Sequence, residues 1–131
     1  MKKCVTFLSS ILLSTVLIAP AFAAIDVGDA MKEMGKNYRL VMKDTDATSL
    51  KQDLASLRAA AVKAQSGVPG NMQKDAADSA NRKTFAAGMK EFINQVDVAS
   101  KLADEGKVPE AKAEAAKLKD LMKEYHGKLG V

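Results

Sequence analysis

Apolar residues recur in steps of four and three along four successive segments of this chain, and that spacing leaves few folds open. Val27, Met31, Met34, Tyr38 and Val41 make one stripe; Leu50, Leu54, Leu57, Ala61 and Ala64 make a second. Phe85, Met89, Phe92, Val96, Ala99 and Ala103 make a third; Ala111, Ala115, Leu118, Met122, Tyr125 and Leu129 make a fourth. A helix gathers such positions onto one face, whereas a half-buried strand alternates by two. The breakers fall between the stripes: Asp44-Thr45-Asp46, Gly67-Val68-Pro69-Gly70, and Gly106 with Pro109 just beyond. Gly106 suits the left-handed position that closes a helix, and Pro109 the first turn of the next. Thr48 and Ser49 are candidate N-caps for the second helix and Ser79 for the third. Four stripes on short links, with 66–79 as the one longer connection, predict an all-α, antiparallel up-down-up-down four-helix bundle. With 47% apolar and 27% charged residues among 131, one packed domain is within reach and disorder is not expected.

The bundle does not include the first 23 residues. Lys2 and Lys3 precede an apolar run from Val5 to Ile18, and Ala21-Phe22-Ala23 supplies the small-x-small pattern of a signal-peptidase site. The run is shorter than the roughly 20 residues that span a bilayer, and no second one follows. Residues 1–23 are therefore expected to be a cleaved signal peptide and 24–131 an exported domain with no membrane span, placed in the periplasm. Cleavage also removes Lys2, Lys3 and the single Cys4, taking the formal charge from +4 to about +2. So small an excess argues against nucleic acid as a partner. A chain without thiols cannot form disulfides, thiolate metal sites, a Cys nucleophile or thioether-attached haem.

Antiparallel alternation brings the start of helix one, the end of helix two, the start of helix three and the end of helix four to one end of the bundle. Met31 and Met34, the alanine-rich run Arg58 to Ala64, Phe85 and Met89, and Met122, Tyr125 and His126 meet there. Met31 lies about five residues into its helix and His126 about five from the chain end, hence at similar depth at about 1.5 Å per residue. Alanines facing Met, Phe and the only His would leave a gap, which packed interiors do not tolerate. A flat apolar cofactor would fill it, with imidazole nitrogen on one face of its iron and thioether sulfur on the other. The residues also admit plainer roles. A His near a helix C-terminus is ordinarily a solvated or dipole-compensating group, Met and Phe at seam positions are ordinarily core, and alanines can simply allow close packing.

No signature of catalysis accompanies these residues. Glu-x-x-His, a Gly-rich phosphate loop, a hydrolase elbow and a Ser/His/Asp grouping are all missing from the sequence. The lysines between Lys101 and Lys123 alternate with Glu and Asp, as on a solvated helix face.

Several segments, in this order, resemble the cytochrome b562 family over the whole of 24–131. They are Asp26-Val27-Gly28-Asp29-Ala30-Met31, Leu57-Arg58-Ala59-Ala60-Ala61-Val62-Lys63-Ala64-Gln65, Leu102-Ala103-Asp104-Glu105-Gly106-Lys107-Val108-Pro109-Glu110-Ala111 and Tyr125-His126-Gly127-Lys128. The resemblance implies a non-enzymatic electron-transfer protein holding one haem b without covalent bonds. It implies Met31 and His126 as axial ligands of a six-coordinate, low-spin iron, with Phe85 packed beside the macrocycle. Met34, Met89 and Met122 complete the expected cofactor-binding set. The chain departs from the pattern at Met89, where a second Phe is expected, and at Met122, where an Arg is expected. The second departure takes a guanidinium from the haem edge without taking a ligand. The redox partner proteins stay unidentified. The alternative is a haem-free periplasmic bundle whose methionines bind copper or protein partners.

Overall fold

The computed structural model describes residues 24–131, so the expected signal peptide lies outside the described residues. Four α-helices follow one another: α1 (Val27–Lys43), α2 (Ala47–Gln65), α3 (Ala80–Asp104) and α4 (Val108–Leu129), with one short 3-10 turn, Gly70–Met72, in the long link. Consecutive helices pack closely; α1 and α4, which close the bundle, touch less than any consecutive pair. This is the antiparallel four-helix bundle that the apolar spacing predicts.

Each helix begins where a side chain can take up a free backbone N–H. Asp26 accepts from Asp29 N at 3.1 Å, Asp46 from Ser49 N at 2.9 Å and Ser79 from Arg82 N at 3.3 Å. The cap of α2 is thus Asp46, not Thr48 or Ser49. The residue with extended backbone is Asp46, and its carboxylate accepts from an amide three positions on. That contact holds the Asp46 carboxyl below its usual range. At the far end of α3, Gly106 adopts φ 75°, which lets Lys107 N donate to Leu102 O at 2.9 Å and Gly106 N to Ala103 O at 3.0 Å. These two bonds form the Schellman closure that only a residue without Cβ takes easily. Pro109 follows in the first turn of α4.

The core is continuous and largely aliphatic, with Leu50, Leu54, Leu57, Val41, Val96 and Leu118 fully buried, Phe85 and Phe92 the buried aromatics, and Met72 buried from the long link. The stripes of α2 and α3 are buried along their whole length. Those of α1 and α4 are not. In α1 the inward line is Val27, Ala30, Met34, Asn37 and Val41, while Met31 and Tyr38 are half-buried. In α4 no residue beyond Leu118 is buried. The two partly covered stretches face each other across the loosest seam. Surface ion pairs such as Arg58–Asp97 at 2.7 Å and Lys63–Glu33 at 3.7 Å are half exposed, so they add little to stability.

Truncating Leu54 or Leu118 to Ala should cost about 2–5 kcal/mol of unfolding free energy, read from denaturant melts, because each is fully buried among apolar neighbours. A second outcome concerns Asp44, at the C-terminus of α1. Burial, and after it the neighbouring Asp53 carboxylate, push its carboxyl above the usual range. One Asp44 carboxylate oxygen is enclosed with no hydrogen-bond partner among the described residues. The folded state therefore disfavours the charged form, so this group weakens the protein at neutral pH and ceases to do so as falling pH protonates it. Asp44→Asn should raise the urea midpoint at neutral pH, and the advantage should shrink in mildly acidic buffer.

Candidate cofactor site

The seam between α1 and α4 opens at one end into an apolar cleft, with α3 as its floor. Met31 and Met34 line it from α1, Phe85, Gly88, Met89 and Phe92 from α3, and Leu121, Met122, Tyr125, His126 and Leu129 from α4. Its free space is about 580 Å³ counting the part open to solvent, of which about 100 Å³ is wide enough to seat the centre of a water molecule. The cleft is thus a narrow, partly open slot. Among the described residues, no carboxylate, lysine or arginine lines it.

All six residues singled out from the sequence, Met31, Met34, Phe85, Met89, Met122 and His126, come together here. Their environments differ. Met34 is 4% exposed and Met89 5%, so they belong to the packed wall. Met31 and Met122 are half-buried and His126 is exposed, so the imidazole stands at the opening. The alanine-rich stretch of α2 is not part of the cleft. Ala60, Ala61 and Ala64 are buried in the core, and α2 contributes no lining residue. The reason is positional: α2 lies between α1 and α3 on the closed side of the bundle, where small side chains permit close approach instead of leaving a void.

Two lining residues have a structural relation that apolar periodicity does not reveal. Gly88 sits inside α3, where a Cβ would lie 2.7 Å from the Cγ and Cδ1 atoms of Tyr125. The Tyr125 phenol donates to Glu91 Oε2 at 2.5 Å, and Lys128 Nζ stands 4.5 Å from the ring centroid. The bond to Glu91, followed by desolvation, pushes the phenol above its usual range. A glycine in the middle of a helix is the signal that could have found this contact, since it is a poor helix former without a compensating reason.

Chemically, the cleft offers one imidazole and four thioethers in an apolar, largely uncharged slot. These are neutral donors suited to a soft or borderline metal centre, and apolar walls suited to a flat hydrophobic ligand. In the cofactor-free protein, Phe92→Ala should cost about 3–5 kcal/mol, since it removes a buried ring from both core and cleft. His126→Ala should change stability by less than about 0.5 kcal/mol, since the side chain is exposed. Urea unfolding of both variants checks the contrast; a large loss for His126→Ala would assign the imidazole a structural duty instead.

Comparison with known proteins places the chain among relatives. The profile of the family described as Cytochrome b562 matches residues 26–129. The chain is 37% identical over 127 residues to the "Probable soluble cytochrome b562 2" of Yersinia pestis, with 97% of each chain covered. It is 27% identical over 114 residues to the "Probable soluble cytochrome b562 1" of the same organism, covering 87% of this chain and 90% of that one. An uncharacterized protein of Pasteurella multocida is 32% identical over 120 residues, with 89% and 94% covered. With four helices in the expected order and a family match that runs from the cap of α1 to the last residue of α4, the chain belongs to the cytochrome b562 family.

Proposed function

We propose that this protein is a periplasmic electron carrier, not an enzyme, that holds one non-covalent haem b in the cleft between α1, α3 and α4. Met31 and His126 serve as the axial ligands, and Met34, Phe85, Met89 and Met122 pack against the macrocycle. The observation that carries the reading is the meeting of an imidazole and thioethers from opposite ends of the chain in one uncharged slot, in a member of this family.

The residues fit such a group. Imidazole and thioether both donate to iron without bringing a charge into the slot, and the walls are Met, Phe and Leu side chains that prefer a hydrophobic plate to water. Bound haem would supply reversible one-electron exchange between ferrous and ferric iron. The protein's own contribution is electrostatic and mechanical. The soft, neutral Met31 sulfur and the lack of charged lining groups disfavour the additional positive charge of the ferric state. Met31 and His126 stand on well-formed helices, so neither ligand needs to move far when the charge changes. With Met31 and His126 both held to the iron, a bound haem would have no open place for oxygen or a substrate. The exposed edge at His126 leaves a short route to a redox partner at the surface.

Reconstitution with haem should give sharp low-spin bands in both oxidation states. Met31→Ala and His126→Ala should each abolish them and weaken haem affinity by more than about tenfold. Unchanged bands in both variants would overturn the ligand assignment. Because four methionines line the same slot, Cu(I) is the competing occupant. Calorimetric competition in which Cu(I) displaces haem at equal concentration would favour a copper-binding role.

A further inference from the structure

Burial on α4 stops at Leu118, yet the helix runs on for three more turns and carries His126 near its end. Some contact has to hold those turns against the bundle, or the helix end would fray and the imidazole would have no fixed direction. Leu121, Met122 and Leu129 pack against the core while staying partly exposed, and on the same turns the Tyr125 ring lies against the backbone of Gly88. A methyl group at position 88 would meet the ring at 2.7 Å from Cγ and Cδ1 and 3.1 Å from Cε1, distances that non-bonded carbons do not reach, so the ring occupies space that only glycine leaves free. The ring is held on other sides too, by the 2.5 Å bond from its hydroxyl to Glu91 on α3 and by Lys128 4.5 Å above its centre. Lys128 is in turn held by Glu124 at 2.5 Å. Beyond, Gly130 at φ 69° lets Val131 N donate to the carbonyl oxygen of His126 at 3.1 Å, which secures the backbone on the other side of the histidine.

Tyr125 and His126 are consecutive residues, so their side chains leave the helix about 100° apart, and fixing one azimuth fixes the other. We propose that Tyr125, seated on the bare backbone of Gly88, is a positioning residue that sets the rotation of the last turns of α4 and so aims His126 into the cleft before any cofactor arrives. The role in aiming rests on the reading that His126 ligates haem iron; the anchoring of α4 does not. Glycine at 88 thereby has a purpose inside a helix that its propensity would otherwise oppose. Glu91 adds direction: its bond to the hydroxyl resists swinging of the ring along α3.

The test uses the full chain, with and without haem, in Gly88→Ala, Tyr125→Ala, Tyr125→Phe and the double variant Gly88→Ala/Tyr125→Ala. Haem affinity, the low-spin fraction and the reduction potential are read in the loaded protein; amide hydrogen exchange of residues 119–129 is read in the haem-free protein. Tyr125→Ala and Gly88→Ala should each weaken haem binding about tenfold or more, introduce a high-spin fraction, shift the potential and lower protection across 119–129. Tyr125→Phe keeps the ring in its seat and should recover most of the affinity and the spin state. The double variant should be no worse than Tyr125→Ala, because without the ring the added methyl has nothing to meet. Wild-type affinity, spin state and potential in both single variants would overturn the proposal, as would losses that multiply in the double variant. A wild-type chain that takes up no haem overturns the ligand reading and the aiming role with it; the exchange measurements then still decide whether the ring anchors α4, and unchanged protection would reject that too.

Discussion

The closure of the bundle between its first and last helices is the contact on which the cleft depends. α1 and α4 are joined by no loop, so only side chains hold them together, and they touch less than any consecutive pair. Away from the cleft the inward residues of these two helices are fully buried: Val41 on α1, and Ala111, Ala115 and Leu118 on α4. At the other end the opposing residues are Met31 and Met122, both half-buried, and the exposed His126. Flexible unbranched side chains can lie across a slot or line it, and they do so without the fixed shape that would seal it. The same helices that seal one end therefore leave room at the other, and the room is where the donor atoms are.

α2 and α3 make that division possible. α2 has Leu50, Leu54 and Leu57 inside over its first half and Ala60, Ala61 and Ala64 over its second, so its small residues fall at the level of the cleft. Their size draws α2 inward on the closed side. α3 supplies the larger groups, Phe85, Met89 and Phe92, which are buried and form a rigid floor beneath the slot. Small residues opposite the cleft and large ones beneath it thus serve different ends: the first shape the wall that does not open, and the second give the open side a surface against which a flat ligand can be pressed.

Much of this was legible in the sequence because it depends on periodicity. Four stripes with breakers between them give helix number, order and direction, and direction alone brings Met31 and His126 to one end. The same logic misjudged what periodicity does not encode. Spacing alone suggests that the alanines of α2 wall the cavity, but a small side chain leaves a void only where its neighbours cannot approach, and α2 can approach. Residue preference alone points to Thr48 or Ser49 as the cap of α2, whereas the aspartate before them has the extended backbone that capping needs. The Tyr125–Gly88 contact is unreadable from spacing, since it depends on how two helices are rotated about their own axes. A glycine inside a strong helical pattern was the only local sign of it.

The position of the imidazole draws these strands together. A ligand buried at the centre of the bundle would be held by packing on every side, but it would also be insulated from any partner. His126 is at the mouth, on turns that meet the core only through the partly buried Leu121, Met122 and Leu129, so access comes at the expense of support. The compensation is local and sits next to the residue that needs it: a ring in a glycine seat one position before the histidine, and a left-handed glycine four positions after it. Both are backbone-level constraints that ask for no burial of His126 itself. An arginine at position 122 would add a charge to this rim. Met122 instead extends the apolar lining to the opening, so the electrostatic surroundings of the imidazole depend on the helix end, Glu124 and the lysines at 123 and 128, all of which face water. Exposed charges are screened by salt, whereas an uncharged lining is not. On the proposed reading, a haem held here would draw the stability of its ferrous state from the interior of the slot, leaving the surface charges free to vary.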